Sequence, residues 1–179
     1  MQSRQGTCLG LALLVLIVAA GCQTATVAEK SAAAKGSSEG DPLGKMVIGE
    51  TTWPKWRAET GWESADWYRL PPEKVASLKQ LQQKSQAAFM IFGGSWCKDT
   101  HQQLGMIMAI LEQAGVPAER VKLYGVDRSK TEPSGTAAKN SIQRVPTLVM
   151  LSRSGEMGRI VEYPQASWED DMIRILSKN

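Results

Sequence analysis

The chain has 179 residues, 42% of them hydrophobic and 22% charged, which is material for one globular domain and too little for two of ordinary size. Its formal charge of +3 is spread without long basic blocks. No basic, aromatic-interleaved surface for nucleic acid is laid out, so a nucleic-acid partner is not expected.

Arg4 stands ahead of an apolar run from Leu9 to Ala20, which has the length of a signal-peptide core and is short for a membrane span. The Ala19-Ala20-Gly21-Cys22 that follows resembles a bacterial lipobox, with Ala19 where leucine is usual. That resemblance implies a lipoprotein signal peptide over 1–21 and lipidation of Cys22. The alternatives are ordinary secretion with cleavage nearby, or an uncleaved anchor. A lipid on Cys22 would hold the protein on a membrane of the bacterial cell envelope, facing the periplasm, and Gln23 is compatible with the outer membrane of a Gram-negative cell. Three acyl chains anchor far more firmly than one.

Of the three cysteines, Cys8 would then be discarded and Cys22 blocked, leaving Cys97 as the single free thiol. No intramolecular disulfide could form, in a compartment where small secreted domains commonly use them. Residues 22–45 are rich in Ala, Ser, Gly, Lys, Glu and Thr without apolar periodicity, the composition of a flexible tether. The globular domain is expected over 46–179.

Trp53, Trp56, Trp62 and Trp67, with Tyr68 beside the last, crowd the start of that domain. They suit an N-terminal aromatic-rich extension packed onto a sheet around a short strand near Met46 to Ile48. An exposed patch for a partner or for carbohydrate is the other reading. Pro71-Pro72 opens a helix with Val75, Leu78 and Leu81 on one face. Ala87 to Phe92 reads as a buried strand, and Cys97 to Ala114 as a helix with Leu104, Ile107, Met108 and Leu111 inward. Val121 to Asp127 is a second strand. Arg128 to Arg144 is a polar connection with a short helix around Gly135 to Ser141.

Thr147 to Leu151 is a third strand, turned back at Ser154-Gly155 into a fourth over Ile160 to Glu162. Trp168 to Leu176 closes the chain as an amphipathic helix with Met172, Ile173 and Leu176 inward, and Ser167 is placed to cap it. Alternating strands and helices followed by a hairpin predict an α/β fold, a mixed central sheet flanked by helices on both faces.

The stretch from Phe89 to Thr100 passes from strand through Gly93-Gly94 into Trp96-Cys97-Lys98-Asp99-Thr100, so Cys97 falls at a helix start. Unpaired N–H groups and the positive end of the helix dipole there favour thiolate over thiol, while Lys98 and Asp99 act in opposite directions. W-C-x-x-T in this setting, with Val145-Pro146-Thr147 ahead of a later strand, resembles the thioredoxin-like family, with Thr100 where redox members carry a second cysteine. The resemblance covers about residues 72 to 177 and implies a thioredoxin-like fold. It also implies a cis bond before Pro146 that turns the backbone of Val145 toward substrate, and Trp96 as an apolar wall beside the thiol. Ile91 stands where redox members often bury an acid.

Cys97 and Thr100 are therefore the candidate catalytic pair, with the Thr100 hydroxyl close enough to donate to the thiolate or, alternatively, to cap its own backbone. Trp96, Val145 and Pro146 are the candidate substrate-binding residues. Cys97 could instead be a small buried hydrophobe. Without a resolving thiol, attack on a disulfide cannot be completed internally. This points to monothiol exchange with protein or low-molecular-weight thiols and disulfides. A non-catalytic thioredoxin-fold binding or adaptor protein and a peroxide sensor working through sulfenic acid are the alternatives. His101, the only histidine, could serve as a base or soft-metal ligand, but spacing suggests no companion ligands, so neither metal nor cofactor is expected. Arg159 and Glu162 read as a solvated surface pair.

Overall fold

The computed structural model describes residues 45–178. The expected signal peptide, the tether as far as residue 44 and the lipidation site Cys22 lie outside the described residues. No described helix is long and apolar enough to cross a membrane.

Five strands form one mixed sheet. In chain order they are β1 (Gly49–Thr51), β2 (Ala88–Gly93), β3 (Val121–Gly125), β4 (Thr147–Ser152) and β5 (Gly155–Val161). The spatial order is β1-β3-β2-β4-β5, with β2 parallel to β3 and the other pairs antiparallel. The helices are α1 (Trp53–Thr60), α2 (Pro72–Ser85), α3 (Lys98–Gln113), α4 (Thr136–Lys139) and α5 (Trp168–Leu176), with a 3-10 turn at Ala118–Arg120 before β3.

Strand periodicity splits the core in two. Phe89 and Ile91 of β2, Leu123 of β3, and Leu148 and Met150 of β4 join one apolar cluster. Phe92, Tyr124 and Val149, the alternate residues, join the other. Helices lie on both faces but unequally. The first face carries α1, α2, α3 and α5 through Trp56, Leu78, Leu104, Ile107, Met172 and Ile175. Among the described residues the second carries only the short α4, through Ala137, with Ile142 and Val145 of the loop after it.

The expected order from α2 to α5 is the order observed, and the differences are local. The N-terminal strand lies at Gly49–Thr51, not Met46 to Ile48, and pairs antiparallel with β3. The first half of the tryptophan-rich segment then forms α1, started by the Thr52 side chain, which accepts from the Lys55 N–H, and ended by Gly61 at φ 73°. Trp56 is fully buried and Trp62 is 7% exposed, whereas Trp67 is 73% exposed. Packing thus accounts for the first two and not for the third.

Met108 and Ile173 pack partly buried against the larger core as expected, and Ile110 and Ile175 are buried in it as well. In both helices the apolar stripe is wide enough to cover both positions. Strand β5 begins at Gly155, five residues earlier than expected, because pairing with β4 continues to the turn through a register shift at Met150/Leu151. Arg159 and Glu162 do not pair with each other. Arg159 binds Glu156 at 2.5 Å, and Glu162 binds Arg144 at 2.8 Å.

Candidate functional site

The site lies where β2 runs into α3. Gly93 and Gly94 carry the chain through this junction because side chains fill the space a Cβ would need. At Gly93 a Cβ would come within 2.9 Å of the Thr100 methyl and 3.2 Å of the Trp56 ring, and at Gly94 within 2.6 Å of the Trp96 ring. Ser95, fully buried, accepts from the Val47 N–H at 2.9 Å and ties the segment before β1 to the same loop. Cys97 is the N-terminal cap residue of α3. Its N–H reaches back to Gly94 O at 2.9 Å, and its carbonyl receives the His101 N–H at 3.0 Å.

The thiol is half-buried and faces the loop before β4. Cys97 Sγ donates to the Val145 carbonyl oxygen at 3.5 Å, and the Val145–Pro146 peptide is cis. A cleft of about 350 Å³ opens here between Trp96, Cys97, Asp99, Lys130, Arg144, Val145 and Glu162. Three of the sequence-derived site residues, Trp96, Cys97 and Val145, therefore line one cleft, and Pro146 is buried and does not line it.

Thr100 is placed differently from the expected thiolate donor. It is fully buried, and its hydroxyl accepts from the Gly94 N–H at 3.3 Å, inside the strand-to-helix turn. The thiol makes its bond with Val145 instead. His101 is exposed and stacks edge-on against Trp62, with ring centroids 4.6 Å apart. No group of three or more His, Cys, Asp or Glu side chains able to hold a metal occurs among the described residues. Ile91 is fully buried in the larger core.

Trp96 is not a bare apolar wall. Its indole N–H donates to Val126 O at 2.9 Å, which fixes the ring. The Arg128 guanidinium lies 5.1 Å and the Lys130 ammonium 5.6 Å from the ring centre. These cations went unnoticed in the sequence because they sit in a polar loop thirty residues away. Only the parallel pairing of β3 with β2 brings the two loops to the same end of the sheet.

The turn after β5 closes the opposite side of the cleft. Glu162, at φ 59°, donates its N–H to Pro146 O at 2.7 Å, and its carbonyl accepts from Gln103 Nε2 at 2.8 Å. Gln103 is 4% exposed, and its Oε1 accepts from the Trp168 indole at 2.9 Å, so one amide links α3, α5 and the turn beside Pro146. Tyr163 donates to Asp99 at 2.5 Å. That bond to the carboxylate is the main cause that pushes the Tyr163 phenol above its usual range. A helix-start carboxylate is thereby tied to the rim rather than left free beside Cys97.

These features define a class. A five-stranded mixed sheet in the order β1-β3-β2-β4-β5, a cysteine at the start of the helix after β2 and a cis Val145–Pro146 peptide whose Val145 carbonyl faces it make this a thioredoxin-like fold. No protein-family model matches the chain, and no curated protein matches it. Among solved structures, similarity is found to DsbH oxidoreductase, at 17% identity over 70% of this chain and 99% of that one, with a TM-score of 0.39. Thioredoxin O2 from Arabidopsis thaliana in the oxidized state is 20% identical over 59% of this chain and 83% of that one, with a TM-score of 0.35. A Pseudomonas aeruginosa protein of unknown function is 12% identical over 72% and 94%, with a TM-score of 0.32.

Proposed function

We propose that the protein performs monothiol thiol–disulfide exchange through Cys97, as a lipid-anchored protein of the bacterial cell envelope. The observation that carries this is the half-buried Cys97 Sγ at a helix start, 3.5 Å from the Val145 carbonyl and open to a cleft of about 350 Å³. A substrate disulfide laid along Val145 would meet the sulfur without rearrangement of the sheet. Attack by the thiolate forms the protein–substrate S–S bond, and the old S–S bond breaks with its electron pair on the departing thiolate. Because Cys97 is the only cysteine among the described residues, the adduct is resolved by an external thiol, either glutathione-like or on another protein.

The runner-up is a non-catalytic binding or adaptor protein, favoured by Trp67, which is 73% exposed although its loop is held by the Gln113 amide at Tyr68 O and Leu70 N. An exposed aromatic on an anchored loop suits a contact surface.

Incubation of the full chain with glutathione disulfide separates the two. Exchange chemistry requires one glutathionyl group on Cys97, located by peptide mass spectrometry and removed by excess thiol. An adduct that forms only after unfolding in denaturant would leave the binding function. The lipid anchor is tested separately, by loss of membrane association on Cys22→Ser.

A further inference from the structure

A second cavity lies between the α1–α2 connection and α3, and it shares no lining residue with the Cys97 cleft. Its volume is about 370 Å³, at the lower end of the range of ligand pockets, about 300–1,000 Å³. Gly105 of α3 is part of its wall. A Cβ there would stand 3.3 Å from Ala65 Cβ, so the missing side chain lets the connection lie directly on the helix. The Trp67 indole lines the cavity and is 73% exposed, yet it is braced. It meets the Tyr68 ring at 86° with centroids 5.7 Å apart, and the Tyr68 hydroxyl donates to Glu169 at 2.9 Å. The Tyr68 N–H closes the turn onto Ala65 O at 2.8 Å. A large flat ring is therefore held at the surface on backbone that is already ordered.

The polar side chains of this cavity are unengaged. Glu63, Ser64 and Gln102 line it, and among the described residues their side chains make no hydrogen bond or ion pair. Together they offer an acceptor-only carboxylate, a hydroxyl and an amide, so a guest that satisfies all three must both donate and accept. Charge favours a neutral guest. The Arg57 guanidinium lies 5.9 Å from the centre of the Trp53 ring, which lines the same cavity, and Arg57 donates to Trp62 O at 3.2 Å, one residue before Glu63. A cation would compete with Arg57 for that ring, and an anion would meet the Glu63 carboxylate.

We propose that this cavity binds a neutral saccharide of β-1,4-linked, gluco-configured pyranoses, with one ring lying on the Trp67 indole. In that configuration the ring substituents are equatorial, so both faces of the sugar carry only C–H groups and fit the electron-rich face of the indole. The hydroxyls around the ring edge donate to Glu63 and exchange hydrogen bonds with Ser64 and Gln102. A polyproline peptide would also stack on tryptophan, but it has no N–H to donate to Glu63. Saccharide binding here is independent of exchange at Cys97, and it gives a role to the part of the tryptophan-rich segment that core packing leaves exposed.

The test titrates the full chain with cellotriose and with chitotriose, following tryptophan fluorescence, with saturation-transfer NMR on the sugar protons as a second reading. Saturable binding of at least one of them is expected. Trp67→Ala should weaken it about tenfold or more and Gln102→Ala about threefold, for the loss of a stacked ring and of one hydrogen bond. Both side chains are exposed, so both variants should keep the far-ultraviolet circular dichroism of the wild type and its rate of glutathione adduct formation at Cys97. No saturation with either sugar, or an affinity unchanged by Trp67→Ala, would overturn the saccharide site while leaving exchange at Cys97 standing. Saturation by a proline decapeptide in place of the sugars would overturn it equally.

Discussion

Forty-eight residues apart in the chain, the thiol of Cys97 and the carbonyl of Val145 stand 3.5 Å from each other. The sulfur therefore looks across the sheet end toward β4 and not along its own helix toward Thr100. What a substrate meets at Cys97 is backbone from a distant loop, and the hydroxyl one turn away belongs to the fold.

Thr100→Val keeps the shape of this buried side chain and removes the acceptor of the Gly94 N–H. The expected cost is about 1–2 kcal/mol of stability, from one buried donor left unpaired. The rate of Cys97 adduct formation should change less than twofold. Chemical denaturation and the glutathione-disulfide assay measure the two separately, and a tenfold loss of rate at unchanged stability would restore Thr100 to the chemistry.

Gln103 is the buried joint behind the cleft. Gln103→Leu leaves the Glu162 carbonyl and the Trp168 indole without their partner, and a loss of about 2–4 kcal/mol is expected. Faster amide exchange at Glu162, whose N–H is bound to Pro146 O, should accompany it. Hydrogen exchange followed by mass spectrometry reads this directly, and protection of that turn equal to wild type would contradict the linkage.

A methyl group at Gly94 has no room beside the Trp96 ring, 2.6 Å from where the Cβ would stand. Gly94→Ala should cost about 1–3 kcal/mol and rotate the indole away from Val126 O. The displacement should appear in the near-ultraviolet circular dichroism of the tryptophans, together with slower Cys97 exchange. An unchanged spectrum would mean that the loop yields instead of the ring.

Glu132 gives the domain an acid-sensitive anchor before α4. Burial pushes its carboxyl upward, but the Ser134 hydroxyl and the N–H groups of Ala137, Ser134 and Thr136 outweigh it and hold the group below 4.5. A lowered folded-state value means that the unfolded chain binds the proton more readily. The contribution is therefore complete above pH 4.5 and is lost as pH falls below it. Urea midpoints measured down through this range should fall, and Glu132→Gln should flatten that fall. An equally steep loss in the variant would assign the acid sensitivity to other carboxylates.

Much of this was legible in the residues themselves. The unbroken apolar run along Phe89 to Phe92, the prolines before α2 and the Ser167 cap on α5 are local signals, and the elements formed where those signals lie. Cys97 at the head of α3 followed from Gly93-Gly94 and the helical stripe after them. The Thr52 cap and Gly61 marked α1 equally well, but the crowd of tryptophans around them reads as an aromatic extension laid on the sheet and masks the helix. Nothing in the spacing of Asp127 to Thr131 announced that Lys130 would take a left-handed turn onto Trp96.

The sequence by itself determined the order of strands and helices from α2 onward and the location of one thiol at a helix start, because backbone propensity, capping and apolar periodicity act over a few residues. Which groups surround that thiol was decided only in three dimensions. Val145, Glu162 and the Arg128–Lys130 loop reach it through strand order and register, and those are set by the joint burial of two apolar clusters that no single segment encodes.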